Sequence, residues 1–62
     1  MKTNDYELAK QEFLAGIECM KSEDYIEAEE KFKQSLIAIP DRVSTLINLS
    51  AAQLRLKKYI DA

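Results

Sequence analysis

The chain has no histidine, one cysteine, one glycine and one proline among 62 residues, and each scarcity removes a class of function. Without histidine there is no imidazole for general acid–base catalysis, for a Ser/His/Asp triad or for a metal site. Cys19 alone can neither close an internal disulfide nor supply the ligand set of a structural zinc. A single glycine, Gly16, cannot build a phosphate-cradling loop. No apolar run is long enough to span a bilayer, and no basic segment followed by an apolar one marks a secretory leader. Eleven acidic and nine basic residues give a net charge of −2 with no block of one sign, so no long-range field selects nucleic acid or an anionic membrane. The expectation is a cytoplasmic protein that is not an enzyme, needs no cofactor and binds neither nucleic acid nor membrane.

What is present is helical. The chain is 47% hydrophobic and 32% charged, a balance for ordered helices rather than disorder or a turn-rich sheet. Asn4 followed by Glu7 reads as a capping box, and a helix over 5–21 follows. Its main stripe is Tyr6, Ala9, Phe13, Ile17 and Met20, with Leu8, Ala15 and Cys19 as a second stripe beside it. Lys21, Ser22, Glu23 and Asp24 interrupt the pattern, and Asp24 with Glu27 caps a second helix over 25–39. That helix places Tyr25, Ala28, Phe32, Ser35, Leu36 and Ile39 on one face. The i,i+4 pairs Glu27–Lys31 and Glu29–Lys33 read as a solvated face. Pro40 ends the helix and Asp41 is placed to cap a third over 42–56. In this third helix Val43, Leu46, Ile47, Leu49, Ala51, Ala52, Leu54 and Leu56 leave only a narrow polar strip, the pattern of a helix that is covered on most sides.

The segment Tyr59, Ile60, Asp61, Ala62 repeats Tyr25, Ile26, Glu27, Ala28 at an offset of 59 minus 25, or 34 residues. The same offset pairs Phe13 with Ile47, Gly16 with Ser50, Met20 with Leu54 and Lys21 with Arg55, keeping apolar, small and basic positions in kind. With this period in a helix-turn-helix unit, and with Gly16, Ala28, Phe32 and Pro40 at matching spacings, the chain resembles the tetratricopeptide repeat family. It departs from the pattern at Glu12, Ala15 and Cys19, where the family carries larger side chains in its first helix.

The resemblance implies an all-α fold: an antiparallel helix-turn-helix with a third helix, the start of a right-handed α-solenoid. Residues 1–8 would be an extension and cap, 9–42 a complete repeat, and 43–62 a truncated second repeat consisting of a first helix and the opening of another. It also implies a protein–protein interaction module whose concave groove holds a peptide or a partner helix. That groove would be lined by Lys10, Phe13, Leu14, Ile17 and Lys21 from the first helix and Ser44, Ile47, Asn48, Ala51 and Arg55 from the third. The relatives that clamp a terminal carboxylate need a lysine and an asparagine where this chain has Phe13 and Ile17, so only Asn48 matches that chemistry. Repeats are stable when stacked, and Leu49, Ala52, Leu56 and Tyr59 would form an open end face through which the chain dimerises. The alternative is the first part of a longer repeat protein whose activity, such as glycosyl transfer, resides elsewhere. Cys19 reads as a packing residue rather than a redox thiol. Arg55, Lys57 and Lys58 read as the basic end of a helix.

Overall fold

A computed structural model describes residues 4–61, with side chains as far as Lys58. It contains three helices, α1 (Asp5–Lys21), α2 (Tyr25–Ala38) and α3 (Val43–Asp61), and no strand among the described residues. The bounds of α1 follow from its caps. Asn4 Oδ1 accepts from the Glu7 N–H at 2.8 Å, satisfying one of the orphan donors of the first turn. At the other end the Glu23 N–H donates to Met20 O at 3.1 Å and the Asp24 N–H to Cys19 O at 2.8 Å. This is the paired closure of a Schellman motif. It requires a left-handed residue between them, and that residue is Glu23, at φ 60°. Asp24 caps α2 through a longer bond, 3.4 Å from the Glu27 N–H. Because its own amide is spent on Cys19, the reciprocal half of a capping box does not form there.

Two helix ends differ from the sequence reading. Helix α2 stops at Ala38, since Ile39 is already extended at φ −134° and ψ 94°, as the residue before a proline tends to be. At the start of α3 the first helical residue is Val43. Arg42, not Asp41, holds the cap position, its carbonyl accepting from the Leu46 N–H at 3.0 Å.

The larger correction is at the end of α3. The repeat places a turn before Tyr59, yet α3 continues through it to Asp61. The three residues that stop α1 and start α2, Ser22, Glu23 and Asp24, correspond to Leu56, Lys57 and Lys58. Lysine cannot accept a capping hydrogen bond, and leucine and lysine both favour continued helix.

Helix α2 packs against both of its neighbours. It runs antiparallel to α1: Ala9, early in α1, meets Ser35 late in α2, whereas Glu12 and Gly16 meet the earlier Lys31 and Phe32. Glu12 meets Lys31 at 3.8 Å, the Phe32 ring lies over Gly16, and the Ser35 hydroxyl donates to Ala9 O at 2.7 Å. Phe32 is fully buried, and a Cβ on Gly16 would stand 2.4–2.8 Å from its ring atoms. The absent side chain is therefore what admits the phenylalanine. Phe13 leans on the same ring, with centroids 5.9 Å apart and planes at 49°, a favourable tilted aromatic pair. Ala28, Phe32 and Ala52 form the buried centre, with Phe13, Ile17, Cys19, Met20 and Leu49 packed around it.

Lys31 also departs from the sequence reading. It is half-buried and reaches across to Glu12 on α1, instead of pairing with Glu27 on its own helix. The Glu29–Lys33 pair does form, at 3.9 Å. Glu12 stands where the resemblance calls for a large aromatic, and the cross-helix ion pair occupies that gap.

The molecule is elongated, 45 × 21 × 13 Å. Its longest helix has 19 residues, about 28 Å at 1.5 Å per residue, so the helices are offset along the long axis rather than stacked flush. α3 is not covered on most sides: Val43 is 65%, Ile47 64% and Leu54 56% exposed.

Candidate functional site

The ten groove residues divide into two groups. Phe13 and Ile17 on α1 are half-buried and serve the core, and Asn48 and Ala51 on α3 are also half-buried. Lys10, Leu14, Lys21, Ser44, Ile47 and Arg55 are exposed. Leu14, at 51%, and Ile47 contribute aliphatic surface that the fold does not use. Leu14 and Lys10 line, with Glu7 and Gln11, an open hollow of about 330 Å³. This hollow belongs to α1 alone. The Asn48 side-chain amide donates to Ser44 O at 2.8 Å, so one of its two N–H donors is tied to its own helix. The Arg55 guanidinium lies 5.8 Å from the Tyr25 ring centre, which draws it toward α2.

The cap residue ahead of α3, Arg42, reaches back to α1, a contact absent from the expected site. The Arg42 guanidinium sits 5.7 Å from the Tyr6 ring centre and 5.4 Å from that of Phe13, within range of an attractive cation–π contact. Among the described residues its Nη1 is buried without a hydrogen-bond partner. Periodicity along one helix carries no signal for this contact, because the rings lie on a different helix and far upstream in the chain.

The expected self-association face is not open. Ala52 is fully buried beside Ala28 and Phe32, Leu49 packs on that cluster, and Thr45 is buried on the same side. Leu56 is half-buried and closes a hollow of about 200 Å³ with Glu23, Asp24, Tyr25 and Ile26. The Tyr59 side chain lies outside the described residues. With apolar residues on nearly every side of α3, the small Ala52 between Leu49 and Leu56 gives the side that can approach α2 most closely. The bare aliphatics are therefore on the opposite side: Val43, Ile47 and Leu54, with Leu46 at 44% exposure beside them.

Cys19 is half-buried against the core. Burial raises its thiol pKa first, and the Asp24 and Glu27 carboxylates add to that effect, outweighing the nearby Lys31. A thiol held protonated is a poor nucleophile. Among the described residues no group of three or more His, Cys, Asp or Glu side chains could hold a metal ion. Among the same residues no helix is long and apolar enough to cross a membrane. Comparison with known proteins gives no match: no family model, no curated protein and no solved structure matches the chain.

Proposed function

We propose that this chain is a protein–protein interaction module of tetratricopeptide type, binding an extended peptide or a helix across the outward faces of α1 and α3. The observation that carries the reading is exposed aliphatic surface on both helices, Leu14 at 51% and Ile47 at 64%, that no part of the fold needs. Around it the ten candidate residues contribute Lys10, Lys21 and Arg55, with Glu7 beside Lys10 and Leu14 and Glu18 paired with Lys21 at 3.9 Å as the neighbouring acids. A complementary partner presents apolar residues flanked by carboxylates. Apolar contact supplies the affinity, and the charges bias partner choice and association rate. The helix-turn-helix arrangement, the 34-residue correspondence and the tight Gly16–Phe32 contact support the repeat assignment.

Selection from a displayed random-peptide library, followed by NMR mapping of the selected peptide on the whole chain, tests this function. Amide shifts concentrated in residues 10–21 and 44–55, and a loss of affinity of about tenfold or more for Leu14→Glu, are expected. Affinity should also fall as salt rises. Selected peptides whose shifts fall elsewhere, or that bind Leu14→Glu unchanged, would remove the groove from consideration.

A further inference from the structure

The 34-residue correspondence, laid onto the structure, singles out one face of α3. On α1 the residues turned to α2 are Ala9, Phe13, Gly16 and Met20: Ala9 O takes the Ser35 hydroxyl, Gly16 receives the Phe32 ring, and Phe13 and Met20 pack on the core. Thirty-four residues further on stand Val43, Ile47, Ser50 and Leu54. α3 does not spend them on α2, which it meets instead through Thr45, Leu49, Ala52 and Leu56. All four are exposed, so the molecule carries, uncovered, the counterpart of a face that it covers elsewhere with a helix.

We infer that this face docks on the same face of a second copy, α3 against α3 and antiparallel, about a twofold axis. Three features favour a second copy over an unrelated helix. The stripe is self-complementary: matching Val43 with Leu54 of the other copy brings each Ile47 opposite a Ser50, large against small, as Phe32 lies against Gly16 within the chain. The stripe is also free of charge from Val43 to Leu54; the flanking Arg42 and Arg55 are drawn to the rings of α1 and α2, and the next cations, Lys57 and Lys58, are exposed beyond its C-terminal end. A parallel pair would crowd four lysines together, whereas the antiparallel pair separates them. Finally, the same matching sets Lys57 beside the Pro40–Asp41 turn of the other copy, where the exposed Asp41 carboxylate is a partner of opposite sign.

The stripe is short, about 17 Å for eleven residue rises. One helix pair of that length buries well below the roughly 800 Å² per partner of a standard stable interface. The dimer is therefore weak, with a Kd of order 10–100 µM; it leaves Lys10, Leu14 and Lys21 free but covers Ile47, so it competes with a ligand for the α3 side of the proposed groove.

Sedimentation equilibrium on the whole chain from about 5 µM to 1 mM tests the inference, since that range brackets the expected constant. The average mass should climb from one chain toward two. Leu54→Lys should weaken association by at least about tenfold while circular dichroism shows unchanged helix. Lys57→Glu should weaken it severalfold, and Lys57→Glu combined with Asp41→Lys should restore it, a rescue that no merely sticky surface would show. A chain that stays monomeric to 1 mM would overturn the inference and leave the face to a different helix, such as a segment following Ala62 in a longer protein. Association indifferent to Leu54→Lys, or a charge exchange that restores nothing, would overturn it as well.

Discussion

Glu23 is the residue whose backbone and side chain disagree. Its φ of 60° closes α1, in a region that costs a non-glycine residue about 1 kcal/mol or more and glycine little. Glu23→Gly should raise stability by about 0.5–1 kcal/mol, read as a higher midpoint in urea. Gly16 is the opposite case. Alanine there would gain helix propensity of about 1 kcal/mol, but its Cβ would meet a buried aromatic ring that has no room to retreat. Overpacking costs about 1–3 kcal/mol, so Gly16→Ala should be net destabilising by about 1 kcal/mol, and adding Phe32→Leu should recover part of that loss. Ser35→Ala leaves the buried Ala9 carbonyl without its hydroxyl donor and should cost about 1 kcal/mol in the same titration. Cys19 should react with a thiol reagent only at higher pH than free cysteine does, because burial and the neighbouring Asp24, Glu27 and Glu18 carboxylates raise its pKa. A normal rate at pH 8 would show the thiol to be more open than the structure places it.

Among the elements, what was legible depended on whether a boundary was written locally. α1 could be read to the residue, since its cap Asn4 and the polar segment after Lys21 are both sequence-local. α2 differed by one residue, at the extended Ile39 before Pro40. α3 was misread at both ends and in its orientation, for distinct reasons. A repeat copies positions but does not guarantee their chemistry, and Lys58 cannot do what Asp24 does. A helix apolar on nearly every side gives no phase from which to choose the buried one, so Leu49 and Ala52 were assigned to the outside while the structure turns them inward. The Glu12–Lys31 pair was equally out of reach, because a salt bridge between helices has no periodicity along either. One test belongs at this scale. Lys57→Gly with Lys58→Asp restores a stop and a cap, and carbon chemical shifts should then show α3 ending near Leu56 instead of continuing to Asp61.

At the scale of the whole molecule, 62 residues arranged 45 Å long bury only a small centre around Ala28, Phe32 and Ala52. Chains of this size are marginally stable, and the aliphatics left on α1 and α3 are surface that binding would put to use. Exposure of the proposed groove residues was legible at Lys10, Leu14, Lys21, Ser44, Ile47 and Arg55. It was less so at Phe13 and Ile17, where one apolar stripe serves core and surface together. Both functional proposals depend on which side of α3 faces α2. The most direct measurement is a set of nuclear Overhauser contacts from selectively methyl-labelled chain at low concentration, where the monomer dominates. The account predicts contacts from the Ala52 methyl to Ala28 and the Phe32 ring, with none from Val43 or Leu54 to α2. Contacts from Val43 and Leu54 to α2, with Ala52 turned to solvent, would contradict it.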